Sequence, residues 1–187
     1  MDTDSDILRR KQLSYAAFNQ LKTKLISRKL SLKVRMRLFN VYVTSIFLYN
    51  SELWTITKKI ENTIDVFHRL LLRNILGRHY PNNISNIDLY RITKETSWTE
   101  VIRLRRLRWL GHMLRLDIDT PCNLALKFYN KNVGKLKKGN KLTWIKQINK
   151  DLQHVGLNLS IFDTGVRTLA ADRKAWRKMM MLSPLPC

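Results

Sequence analysis

The stretch S-L-K-V-R-M-R-L-F-N-V-Y-V-T-S-I-F-L-Y, Ser31 to Tyr49, decides how this chain folds. Ser31 is suited to cap a helix. Beyond Arg37 the apolar residues Leu38, Phe39, Val41, Val43, Ile46, Phe47 and Leu48 surround the axis, adding to Leu32 and Val34 before it. A helix that is apolar all round belongs in an interior. The uncharged window Leu38 to Ser51 contains Asn40, Thr44 and Asn50. It is shorter than the roughly 20 residues a membrane span requires. The stretch therefore reads as the core helix of a bundle.

Helical signals continue on both sides. Leu13, Ala17, Leu21 and Leu25 recur every fourth residue, which predicts a first helix from about Ser5 to Arg28. Thr57 can cap a third helix, with Ile60, Ile64, Phe67, Leu71 and Ile75 on one face and Gly77 as its stop. Arg69 and Arg73 point away from that face. A short helix over Ile87 to Ile92 follows a break at Pro81 to Ser85. Ser97 and Glu100 form a capping box for a helix to about Leu116. Thr120-Pro121 opens another, and Thr143 caps one that ends before Gly156. Ser160 with Asp163 opens a last helix through about Met181, on which Val166, Leu169, Arg173 and Trp176 share a side. These signals predict a mostly α fold, a bundle of about six to eight helices in two lobes, 1–80 and 81–187. A basic loop or β-hairpin is expected near 130–142, where Gly134 and Gly139 lie among lysines.

Charge narrows the function. The 187 residues hold 35 Lys and Arg against 14 Asp and Glu, net +21, with a pI near 10.4. Ile7 to Ser51 carries ten cations and no carboxylate, and Lys127 to Lys150 carries eight lysines and none. A folded chain with that surplus repels itself unless a polyanion screens it. Disorder is disfavoured by an apolar content of 44%. Nucleic acid is the foremost polyanion, and an anionic membrane surface or a protein partner is the alternative.

The sharpest local signal is the helix with Arg103, Arg105, Arg106, Arg108 and Arg115. At 100° per residue Arg105, Arg108, His112 and Arg115 share a sector of about 80°, and apolar residues fill most of the remaining circumference. The stripe reads either as a row of phosphate ligands or as a face paired with Asp88, Glu95 or Asp117. Lys33, Arg35 and Arg37 crowd a helix start, where the dipole already favours an anion. They could instead reach Glu52 or Asp65. The loop G-K-L-K-K-G-N-K, Gly134 to Lys141, can lie along a nucleic-acid backbone or act as a nuclear localisation signal. Nucleic-acid contacts are thus expected from Lys33, Arg35, Arg37, Arg69, Arg73, Lys135, Lys137, Lys138 and Lys141 together with the stripe.

Catalytic signals are thin. Asp117 and Asp119 form a D-x-D that could hold a divalent ion for hydrolysis, or simply a turn before Pro121. The four histidines are scattered, and Cys122 and Cys187 form no zinc-binding pair. The chain alone is not expected to be an enzyme. The two distant cysteines and the acidic, polar start fit a reducing intracellular setting, nucleus and cytoplasm, without a secretory signal.

Several strings then occur in order. They are L-Y-N-S-E-L-W (Leu48 to Trp54), L-R-N-I-L-G-R (Leu72 to Arg78) and R-L-R-W-L-G-H-M-L-R (Arg106 to Arg115). G-K-L-K-K-G-N-K-L-T-W (Gly134 to Trp144) and A-A-D-R-K-A-W-R (Ala170 to Arg177) follow. This order resembles the C-terminal part of non-LTR, LINE-like retrotransposon reverse transcriptases, from about Leu8 to Lys178. Asn50 stands where that family usually has glycine, and Leu53 where it has threonine. The resemblance implies a thumb-like segment and a post-polymerase segment that grip template RNA and primer DNA, including RNA–DNA hybrid. It also implies that Arg105, Arg108, His112, Arg115, Lys135, Lys137 and Lys138 make contacts. The polymerase palm, with its paired aspartates and Mg2+, lies outside these residues, so no cofactor is expected in this chain and a palm domain is an expected partner.

Overall fold

The computed structural model describes residues 3–78, 82, 84–132 and 142–181. Among them every regular element is helical, as the periodicities predict. Two compact units result, residues 1–102 and 103–187.

The first unit holds α1 (Thr3–Leu25), α2 (Leu32–Phe39), a π turn (Asn40–Thr44), α3 (Ser45–Phe47), a 3-10 turn (Ser51–Leu53), α4 (Lys58–Leu76) and α5 (Asn86–Thr93). It also takes the opening of α6 (Trp98–Arg115), because Leu89, Trp98 and Ile102 complete its core. The division therefore falls between Ile102 and Arg103, beyond the break at Pro81 to Ser85.

Helix starts follow local chemistry. The hydroxyls of Ser31, Thr57, Ser85 and Ser97 accept from the N–H groups of Val34, Ile60, Asp88 and Glu100. Gly77 ends α4 at φ 65°, a left-handed conformation that costs glycine nothing. Asn50 adopts φ 60° and ψ 19° in the turn after α3. Asparagine tolerates this region better than most residues, so the turn forms without glycine.

Two faces differ from their expected phase. On α1 the buried side chains are Ile7, Ser14, Phe18 and Leu25, while Leu13 is exposed. Ser14 fits inside because its hydroxyl donates to the Lys11 carbonyl at 3.1 Å. The Ser31 to Tyr49 segment is not surrounded by protein. Met36, Phe39, Val43, Phe47 and Leu48 face the core, but Val34, Val41 and Tyr42 are exposed. The π turn widens the helix there, and Asn40 Nδ2 donates to Glu95 Oε1 at 2.7 Å.

The first core centres on Trp98, whose ring stacks on Phe47 at 4.3 Å and on His68 at 4.4 Å. His68 is fully buried, and neither ring nitrogen has a partner among the described residues. Burial, with Arg69 adding to it, lowers its pKa from 6.5 to about 3. The unfolded chain therefore takes up a proton below pH 6.5 that the folded chain refuses. Stability from this group is complete above that pH and is lost as pH falls toward 3, by up to about 1.4 kcal/mol per unit. Asp65 and Glu95, raised by burial, act with the opposite sign at lower pH and reduce the net loss. In thermal melts, His68→Phe is expected to flatten the decline between pH 6.5 and 5.5. An equal decline in both proteins would remove His68 as its source.

The second unit contains the remainder of α6, α7 (Pro121–Asn132), α8 (Trp144–His154), α9 (Thr164–Ala171) and α10 (Arg173–Met181). Residues 130–132, expected in the basic loop, belong to α7, while 133–141 lie outside the described residues. Pro121 is the first residue of α7 and Thr143 caps α8. The predicted last helix is two helices. Asp172 leaves helical geometry at ψ 104°, and its Oδ1 accepts from the N–H groups of Lys174 and Ala175 at 2.8 and 3.2 Å, restarting the chain as α10. Nor does the Ser160 side chain cap α9. Instead the Asp163 carboxylate accepts from the Ser160 N–H.

Leu107, Leu110, Ile148, Leu152, Val166, Ala170 and Trp176 make the second core. Trp176 Nε1 donates to the Leu107 carbonyl at 3.1 Å, and its ring lies over Gly111. A Cβ on Gly111 would sit 2.4 Å from that nitrogen. Overpacking typically costs about 1–3 kcal/mol, which exceeds the roughly 1 kcal/mol that alanine gains over glycine in a helix. Gly111→Ala should lower stability in urea denaturation by about 2 kcal/mol, the net of an overpacking cost near the top of that range, because the ring is pinned, and the helix gain of about 1 kcal/mol. Unchanged stability would mean that the ring can move aside.

Candidate nucleic-acid interface

The arginines of α6 divide into two sets. Arg108 and His112 are exposed, and Arg105 and Arg115 are half-buried. Arg106 lies on another side of the helix, with 1% of its side chain exposed, against Asp151 of α8 with 2%. Its Nε donates to Asp151 Oδ2 at 2.6 Å and its Nη2 to Oδ1 at 3.1 Å. Arg103 Nε lies 3.6 Å from the same carboxylate, and Gln147 Nε2 donates to it at 3.4 Å. Two of the five arginines, neither of them in the expected stripe, are thus fastened to a buried acid, Asp151.

Arg115 is positioned by the backbone. Its Nη1 donates to the Ala170 carbonyl at 2.9 Å, near the end of α9. Arg173 and Arg177 of α10 stand close enough that their charges add to desolvation in lowering its pKa. The residues Arg173, Lys174, Arg177 and Lys178 are all exposed, while Trp176, Met179 and Met180 face inward. The outer face of α10 is therefore cationic as far as the exposed Met181 at its end. Sequence phase missed it, because a continuous helix carries the Val166 and Leu169 side on through Arg173 to Trp176, whereas the break at Asp172 resets the rotation of α10 relative to α9. The signal was the D-R-K-A-W-R-K string itself: a capping aspartate followed by cations at i+4 spacing.

In the first unit, Lys33 and Arg37 are exposed. Arg35 is half-buried, and its Nη1 donates to the carbonyls of Ile75 at 2.8 Å and Leu25 at 3.5 Å. Its guanidinium thus ties together the C-terminal ends of α1 and α4, where carbonyls lack helical partners. Arg73 reaches Asn86 Oδ1 at 2.7 Å and the Ile84 carbonyl at 3.4 Å, bracing the approach to α5. Arg69 lies beside Asp65 and Tyr90 and biases the titration of both. In this unit Lys33 and Arg37 present their charge outward, while Arg35 and Arg73 have structural contacts as well. Lys135, Lys137, Lys138 and Lys141 lie outside the described residues.

Asp117 and Asp119 are exposed in the turn between α6 and α7, where the Asp117 carbonyl accepts from Thr120 and Asn123. Among the described residues no group of three His, Cys, Asp or Glu is placed to hold a metal ion. None of their helices is long and apolar enough to cross a membrane.

The chain is similar to a Caenorhabditis elegans protein described as transposon-derived and uncharacterised, with 25% identity over 177 residues and 91% of the chain covered. It spans 62% of that relative's length. No family model and no solved structure matches. The likeness fits a transposon origin.

Proposed function

We propose that this chain is the nucleic-acid-binding C-terminal helical region of a non-LTR retrotransposon reverse transcriptase. It grips the sugar-phosphate backbone of template RNA and primer DNA and contributes no catalytic centre of its own. The observation that carries this reading is the second unit's division of its cations. Arg103 and Arg106 are paired with a buried acid, while Arg108, His112, Arg173, Lys174, Arg177 and Lys178 are presented outward on two helices. An outward cationic face needs an external polyanion, and phosphodiesters supply one with release of condensed counterions. The transposon-derived relative supports the same setting. Mg2+ and the polymerase aspartates would belong to a palm domain outside these residues.

The immobilised chain is expected to retain single-stranded RNA, DNA duplex and RNA–DNA hybrid with little regard to sequence. Flotation with acidic liposomes combined with no retention of any oligonucleotide would overturn the reading in favour of a membrane surface.

A further inference from the structure

We infer that Arg115, Arg173 and Arg177 form a single phosphate pocket between the end of α6 and the outer face of α10. The inference rests on the nucleic-acid reading for the identity of its ligand, a phosphate carried by a nucleic-acid strand. Three observations converge on it. First, the Arg115 guanidinium sits on the Ala170 carbonyl, just before the break from which Arg173 opens α10, and Trp176 of α10 packs over Gly111 of α6; burial, with the charges of Arg173 and Arg177 adding to it, lowers the Arg115 pKa. Second, among the described residues none of the three has a carboxylate at ion-pair distance. The nearest acid in sequence, Asp172, directs its Oδ1 to two backbone N–H groups instead. Third, Arg115 is held in place, because Nη1 is anchored on the Ala170 carbonyl while Nε is buried without a partner.

Converging like charges oppose folding, so an arrangement fixed by backbone contacts and left without an acid is poised for an anion. A tetrahedral phosphate can accept from several guanidinium forks at once. Arg173 also opens a helix, where the macrodipole adds to the attraction for an anion. The remaining cations, Lys174 and Lys178, flank the pocket along the helix and can meet neighbouring phosphates. The ligand is either an internal phosphodiester or a terminal phosphate, since both offer the same oxygens.

The test compares the whole chain with Arg173→Gln/Arg177→Gln, whose exposed positions leave the core and the Arg115 anchor intact. A Lys22→Gln/Lys24→Gln variant on α1 removes the same charge elsewhere. In thermal melts, inorganic phosphate should raise the midpoint of the wild type and of the α1 variant, but not that of the α10 variant. In chloride alone the α10 variant should melt higher than the wild type, because a repulsion has gone. Equal responses to phosphate in all three proteins overturn the pocket. Binding of labelled oligonucleotide with and without a 5′ phosphate then separates the sources. The pocket predicts at least a tenfold greater loss of affinity for the α10 variant than for the α1 variant. A loss confined to the 5′-phosphorylated strand assigns a terminal phosphate, and an equal loss on both strands assigns an internal one. A phosphate response with no oligonucleotide binding by the wild type would leave an anion pocket standing while removing the nucleic-acid ligand and the proposed function.

Discussion

Asp151→Ala is expected to destabilise the second unit by about 3–5 kcal/mol, because it strands the Arg106 guanidinium in an apolar interior without its counter-ion. The carboxylate receives two hydrogen bonds from Arg106, a third from Gln147, and the nearby charge of Arg103. Little water reaches the pair, whose side chains are 1% and 2% exposed. Since domains are stable by only about 5–15 kcal/mol, a loss of this size approaches unfolding. The cost belongs to the unpaired ion rather than to the pair. Replacing both partners with apolar residues, Arg106→Met with Asp151→Leu, should restore stability to near the wild-type value or exceed it by about 1–4 kcal/mol. Denaturant titrations followed by tryptophan fluorescence would check both proteins. A loss under about 1 kcal/mol in Asp151→Ala, the size of an exposed pair, would mean that water reaches the site.

The second large effect concerns salt. If six to ten phosphates are neutralised, affinity for duplex should fall by about 10³–10⁵ between 50 and 200 mM salt. The logarithmic slope loses about 0.9 for each contact removed. Replacing Arg105, Arg108 and Arg115 with alanine should therefore shrink that salt-induced loss by about 40-fold, if each makes one contact. Arg103→Ala should leave the slope nearly unchanged, because that side chain lies 3.6 Å from Asp151. A triple variant with the wild-type slope would remove the α6 stripe from the interface.

Helix starts were legible because caps are chemistry within four residues, and Ser31, Thr57, Ser97 and Thr143 each accept the expected N–H. The break at Asp172 was missed, although the same kind of local bond makes it, because apolar periodicity ran through it. The phase of α1 was hidden by Ser14, a polar residue whose burial depends on bonding back to Lys11. The π turn shifts the faces of the Ser31 to Tyr49 segment in a way that no 100° projection contains. In the candidate site, Arg108 and His112 were readable as an outward stripe. The inward turn of Arg106 was not, since its partner Asp151 lies 45 residues away and nothing local marks that acid as buried. Arg35 was read from its place near a helix start, yet its bond reaches the Ile75 carbonyl 40 residues on.

A fluorescence anisotropy titration of the wild-type chain against a labelled RNA–DNA hybrid in dilute salt, about 50 mM, tests most directly whether phosphates neutralise its surplus cations. Sub-micromolar binding that is indifferent to sequence and weakens steeply as salt rises is the predicted result. A chain that stays soluble and monomeric in that buffer while leaving the hybrid's anisotropy unchanged would contradict the account.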